Sequence, residues 1–149
     1  MRDDTAICCL AMRRAALALL LVAGLVGCGG TSRSPVEVVR AWADALGADD
    51  NERAAALFAP NAAVVQGDQM IRLRTHRDAV RWNARLPCSG RIVSLTHDGS
   101  AVTATFRLGD RKSRSCGVPA GAEAIAVFVV EHGRIILWDQ IGSQIRIGH

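Results

Sequence analysis

The chain has 149 residues, half of them apolar, and a formal net charge of +4. That length has room for one compact domain beside a leader and excludes a multidomain assembly within the chain. The basic residues are scattered and almost all arginine, with Lys112 the only lysine, so no basic stripe marks a nucleic-acid partner.

From Ala15 to Val26 the sequence reads AALALLLVAGLV, directly after Arg13 and Arg14. A transmembrane helix needs roughly 20 apolar residues, so this run is too short to span. A basic start, a short apolar run and small residues at its exit describe a secretory signal peptide. The exit, Leu25-Val26-Gly27-Cys28, resembles the bacterial lipobox. That resemblance implies cleavage before Cys28 and a diacylglyceryl group on its thiol. Two acyl chains, at ~0.8 kcal/mol per buried methylene, make a stable anchor. Asp3 and Asp4 suit a signal peptide poorly and Met12-Arg13-Arg14 opens a cleaner one, so translation is expected to begin at Met12.

The chain is thus expected to divide into a signal peptide over 1–27, a lipidated tether over 28–33 and a domain over 34–149. Its expected location is the outer face of the cytoplasmic membrane, in the cell envelope. Removing Arg2, Asp3, Asp4, Arg13 and Arg14 takes away one net positive charge. Cys8 and Cys9 go with the leader, which leaves Cys88 and Cys116 as an even pair in an oxidising compartment. They are expected to form a structural disulfide, since their spacing is too wide for the usual thiol metal sites. Arg111, Lys112 and Arg114 form the one basic cluster and read as a solvated turn beside Cys116.

Ser34-Pro35-Val36-Glu37 is a capping box with proline at the first helical position. Val36, Val39, Ala43 and Leu46 line one face of the helix that follows, with Trp42 beside them and Gly47 as its stop. Asp49 to Glu52 opens a second helix, expected to pack through Ala55, Leu57 and Phe58 and to end at Pro60. Ala62 to Gln66 and Gln69 to Leu73 read as a short hairpin around Gly67-Asp68. Thr75 to Asp78 starts a third helix with Ala79, Trp82 and Leu86 at core spacing, stopped by Pro87. Four strands follow at a period of two: Arg91 to Thr96, Ala101 to Leu108, Ala122 to Glu131 and Arg134 to Ile141. Ala124 to Val130 is apolar on both faces. Helices can cover one side; a second copy of the chain is expected on the other, as a homodimer through the sheet.

The stretch Val38 to Leu46, then Ala54 to Ala62, and the closing pair Ile125 to Val130 and Arg134 to Trp138 resemble the nuclear transport factor 2-like superfamily, in its SnoaL-like branch. The resemblance implies an α+β, cone-like domain with three N-terminal helices packed on a curved, mostly antiparallel sheet. It also implies a pocket between helices and sheet, lined by Trp42, Phe58, Gln66, Trp82, Ala126, Phe128, Trp138 and Gln140. Where ketosteroid isomerases of this superfamily carry a tyrosine, an aspartate base and a protonated aspartic acid, this chain carries Trp42, Gln66 and Ala126. That chemistry is excluded.

In SnoaL-like cyclases the catalytic aspartate lies on the last strand, which makes Asp139 the one candidate catalytic carboxylate. It is out of phase with Trp138, and period two turns it to the other face. The four histidines fall at turns, a helix start or the chain's last residue, and no metal-ligand spacing, nucleophile elbow or phosphate loop is present. No cofactor or metal is expected. The expected function is a membrane-anchored, non-catalytic domain that binds a small apolar ligand or a protein partner. The alternatives are a SnoaL-like isomerase, cyclase or hydrolase, and a structural dimeric envelope module.

Overall fold

A computed structural model describes residues 32–144; the expected signal peptide, the Met12 start and Cys28 lie outside the described residues. Helix α1 (Pro35–Gly47) begins at the expected cap, where Glu37 N donates to Ser34 Oγ at 3.4 Å and Ser34 N to Glu37 Oε2 at 2.7 Å. Helix α2 (Asn51–Ala55) is only one turn and a half long. Leu57 and Phe58 are not on it, contrary to expectation: β1 already starts at Phe58 and runs to Gln66. Pro60 has no N–H for a helix to use, and Asn61 takes a positive φ of 63°. A strand tolerates both as a bulge, and the β1 register shifts between Phe58 and Ala63.

Strand β2 (Gln69–Leu73) returns along β1, and α3 (His76–Arg85) follows. Its cap is reciprocal, with Thr75 N donating to Asp78 Oδ2 at 3.0 Å and Asp78 N to Thr75 Oγ1 at 3.1 Å. The remaining strands are β3 (Ser89–Asp98), β4 (Ala101–Gly109), β5 (Glu123–Glu131) and β6 (Arg134–Gln144). Two helices therefore precede the sheet and the third is inserted between β2 and β3, which corrects the expected three N-terminal helices. The short hairpin and the four later strands join in one six-stranded sheet of order β2-β1-β6-β5-β4-β3. The sheet is mixed, because β1 runs parallel to β6 while all its other pairings are antiparallel. Register shifts within the β1–β6, β3–β4 and β5–β6 pairs introduce the bulges that curl a sheet.

Helix α1 packs on β3 to β6 and α3 on β1 and β2, covering one face. All three tryptophans and all three phenylalanines of the chain meet beneath them. Trp82 and Trp138 have ring centroids 5.0 Å apart, Trp42 and Phe128 5.2 Å, Phe58 and Trp82 5.5 Å, and Trp42 and Phe106 5.9 Å, mostly edge to face. Such pairs add about 0.5–1.5 kcal/mol each beyond the area they bury. On the uncovered face β5 presents Ile125, Val127 and Val129, half-buried, while Met70 and Ile141 are 63% and 58% exposed.

Candidate functional site

A partly enclosed pocket of about 120 Å³ lies between the second half of α1 and the end of the sheet where β3 begins and β4 ends. Helix α1 contributes Trp42, Ala43 and Leu46; the sheet contributes Phe106, Leu108, Ala124, Ala126, Trp138 and Gln140. The rim is the segment Leu86 to Gly90, running from the end of α3 into β3. Small residues make the space: Ala43, Ala124 and Ala126 stand where larger side chains would fill it. Gly90 lets the rim approach the sheet, since a Cβ there would lie 2.9 Å from Phe106 Cβ.

Four of the eight residues expected at a pocket line this one: Trp42, Ala126, Trp138 and Gln140. Phe58, Trp82 and Phe128 instead fill the aromatic core, 5%, 6% and 0% exposed. Gln66 lies at the surface, where its Nε2 donates to Gln140 Oε1 at 3.2 Å and so orients a lining residue without lining the pocket itself. The aromatics pack edge to face on one another, which is why the cavity is smaller than a wall of five aromatic side chains would suggest. Asp139 does not line the pocket; it pairs in register with Val65 and Val127, on the face opposite its neighbour Trp138. The pocket-lining residues include no Asp, Glu, His, Lys or Arg.

The polar atoms on the lining are nearly all engaged. Trp42 Nε1 donates to Asn83 Oδ1 at 2.9 Å. Ser89 Oγ donates to the carbonyls of Asp110 at 2.6 Å and Gly109 at 3.2 Å. The Gln140 carbonyl accepts from Gln66, which leaves its amide N–H groups as donors. Trp138 Nε1 is buried without a partner, as is Trp82 Nε1 in the core. The lining therefore offers a large apolar surface, the amide donor of Gln140 and no titrating group.

Two residues that support the site were not foreseen. Asn83 is fully buried, holds the Trp42 indole, and donates Nδ2 to Ala79 O at 2.8 Å. Its signal was available: it falls on the Ala79, Trp82, Leu86 stripe, where a polar residue needs a buried partner. Arg111, expected in a solvated turn, is instead 3% exposed. Its Nε donates to Asp49 Oδ1 and its Nη2 to Asn51 Oδ1, both at 2.6 Å. Nη1 donates to the carbonyls of Asn83 at 2.8 Å and Leu86 at 3.1 Å. One guanidinium thus ties the α1–α2 turn, the end of α3 and the β4–β5 loop together beside the pocket rim. Sequence gives no sign of this, because the partners are about 25 to 60 positions away.

Asp49, itself at a φ of 61°, completes the clamp by accepting Ser113 N at 2.7 Å. The Ser113 hydrogen bond first, and Arg111 beside it, hold the Asp49 carboxyl down at about 2. The expected disulfide is present: Cys88 of the rim is bonded to Cys116 of the β4–β5 loop, with a Cα–Cα distance of 4.5 Å. His76 is also partnered, its Nε2 lying 2.7 Å from Glu52 Oε2 on the surface. Among the described residues no group of three or more His, Cys, Asp or Glu is arranged to hold a metal.

Residues 39–138 match the model of the SnoaL-like domain. No curated protein matches the chain. Among solved structures, a protein from Catenulispora acidiphila with a ketosteroid isomerase-like fold, in complex with trimethylamine, is 19% identical, with a TM-score of 0.59 over 74% of this chain and 87% of its own. An NTF2-like protein of unknown function from Cytophaga hutchinsonii is 11% identical, with a TM-score of 0.59 over 74% of this chain and 91% of its own. An epoxide hydrolase of M. tuberculosis is 24% identical, with a TM-score of 0.55 over 71% of this chain and 80% of its own. At these identities the likeness is one of fold: helices packed on a mixed, curled sheet of NTF2-like form.

Proposed function

The chain belongs to the SnoaL-like domain family, and from that premise we propose that it is an exported, lipid-anchored binding protein, without catalytic activity, for a small uncharged apolar molecule. The observation that carries this reading is the lining of the pocket, which has aromatic and aliphatic walls, the Gln140 amide and no ionisable group. General acid–base chemistry needs a titrating side chain within hydrogen-bond reach of the reacting atom, and Asp139 is not among the lining residues. An apolar cavity of about 150 Å³ holds a benzene-sized molecule, so this pocket of about 120 Å³ suits a single ring or a short branched chain. Gln140 would meet a carbonyl or ether oxygen on it.

Calorimetric titration tests the reading with cyclohexanone and cyclohexanecarboxylate as probes. The ketone is expected to bind more than ~10-fold more tightly, because an unpaired carboxylate loses its hydration in such a site. Ala124→Leu, which fills the pocket, is expected to abolish binding. Equal affinities, or binding that survives the filled pocket, would count against the proposal.

Anchoring rests on the sequence: the short apolar run, the lipobox and Cys28. Loss of palmitate incorporation in Cys28→Ser is the expected result, and unchanged incorporation would remove the anchor. The uncovered sheet face, with Ile125, Val127, Val129, Met70 and Ile141, supports a homodimer formed through it. A monomer by sedimentation equilibrium would refute that.

A further inference from the structure

The β3–β4 and β5–β6 turns share one end of the sheet, where Val130 N donates to Ser100 O at 2.9 Å. The polypeptide enters the domain at this same end. Ser32 and Arg33 lie against Gly133, so near that a Cβ on that glycine would sit 3.6 Å from Arg33 N. From there α1 carries the chain away, its 13 residues rising about 20 Å. It arrives at the far end, where Leu46 lines the pocket and Asp49 meets Arg111. Strand β5 makes the same measurement. Glu131 is at the turn end and Ala124 at the pocket, about 24 Å apart at ~3.4 Å per residue. At the far end the lining is exposed Pro87 and half-buried Cys88, Ser89, Gly90, Leu108 and Ala124, whereas Trp42, Phe106 and Ala126 form a buried floor.

Resting on the lipid-anchor reading above, we infer that the domain stands on the end formed by its β3–β4 and β5–β6 turns, with the pocket mouth facing away from the bilayer. The ligand then enters from the aqueous side and not out of the acyl layer. Chain length supports this. Cys28 is four residues before Ser32, and four residues reach at most about 14 Å, less than the rise of α1 alone. The chemistry of the standing end agrees: His97, Asp98, Ser100, Glu131 and His132 are exposed and polar. Such a surface rests at lipid headgroups and does not insert.

The chain's single lysine makes the test direct, because exposed Lys112 lies in the β4–β5 loop at the pocket end. The mature, lipidated protein is incorporated into phosphatidylcholine–phosphatidylglycerol vesicles whose headgroups carry a nitroxide, with an amine-reactive fluorophore on Lys112. A second form, Lys112→Arg with Asp98→Lys, moves the label to the β3–β4 turn, and Lys112→Arg alone gives the background from the N-terminal amine. The label at position 98 is expected to be quenched several-fold more than the label at 112. Protein that floats with the vesicles but shows equal quenching, or stronger quenching at 112, overturns the orientation while leaving the anchor intact. Wild type that fails to float, or Cys28→Ser that floats equally well, removes the anchor and the inference with it.

Discussion

Arg111→Met should be among the most damaging single substitutions outside the aromatic core. The change keeps an aliphatic stem of similar length and deletes the guanidinium, with its contacts to Asp49, Asn51, Asn83 O and Leu86 O. Removing one partner of a buried ion pair costs about 3–5 kcal/mol, since the other charge is left uncompensated. Here that other charge, on Asp49, is 17% exposed and keeps Ser113 N, so the lower end applies. About 3 kcal/mol corresponds to a fall in Tm of roughly 10 °C for a domain of this size. Urea unfolding with the disulfide intact measures the loss directly, and Arg111→Lys, which keeps charge but not the fork, should fall between the two. An Arg111→Met protein within about 0.5 kcal/mol of wild type, the range of ordinary surface changes, would refute the clamp and restore the reading of a solvated turn.

Stability should also depend on pH through the same cluster. The Asp49 carboxyl is held at about 2, below its ordinary 3.8, so its contribution is complete above pH 4 and is lost as pH falls from there towards 2. Asp49→Asn should flatten that part of the acid unfolding curve, and an unchanged curve would contradict it. Replacing Cys88 and Cys116 by serine should cost about 3.5 kcal/mol in the chain-entropy model, read from urea midpoints. Because Cys88 is on the rim, the same change should weaken cyclohexanone binding, and unaltered affinity would show that the rim needs no staple. Asp139→Asn should leave probe affinity unchanged within about twofold, because this residue does not line the pocket; a large loss would bring it back as a candidate in the site.

Local signals carried much of the fold. Ser34 with Glu37 and Thr75 with Asp78 announced two helix starts, and both caps form reciprocally. Alternation marked β4, where Val102, Ala104 and Phe106 face the core. Failures came where local preference met a distant partner. Leu57 and Phe58 have helical spacing after α2, but Phe58 pairs with Ile135 on β6 and Leu57 is held in the turn before it, accepting from Ile135 N. The resemblance implies Trp82 and Phe128 on a pocket wall, and ring contacts between the helices and the sheet put both in the core instead. Arg111 stands between a turn and a cysteine, where solvation is the default. Its burial follows from Asp49 and Asn51, which reach it only once α1 has crossed the sheet.

The pocket's role is tested most directly by native mass spectrometry of the domain from Ser34 onward, purified from its own host without detergent. The wild-type domain is expected to carry an added mass of a small, uncharged molecule, released on unfolding and missing from Ala124→Leu. A bare protein mass in both forms, together with no binding of cyclohexanone to the wild type, would contradict a ligand-binding function for this pocket.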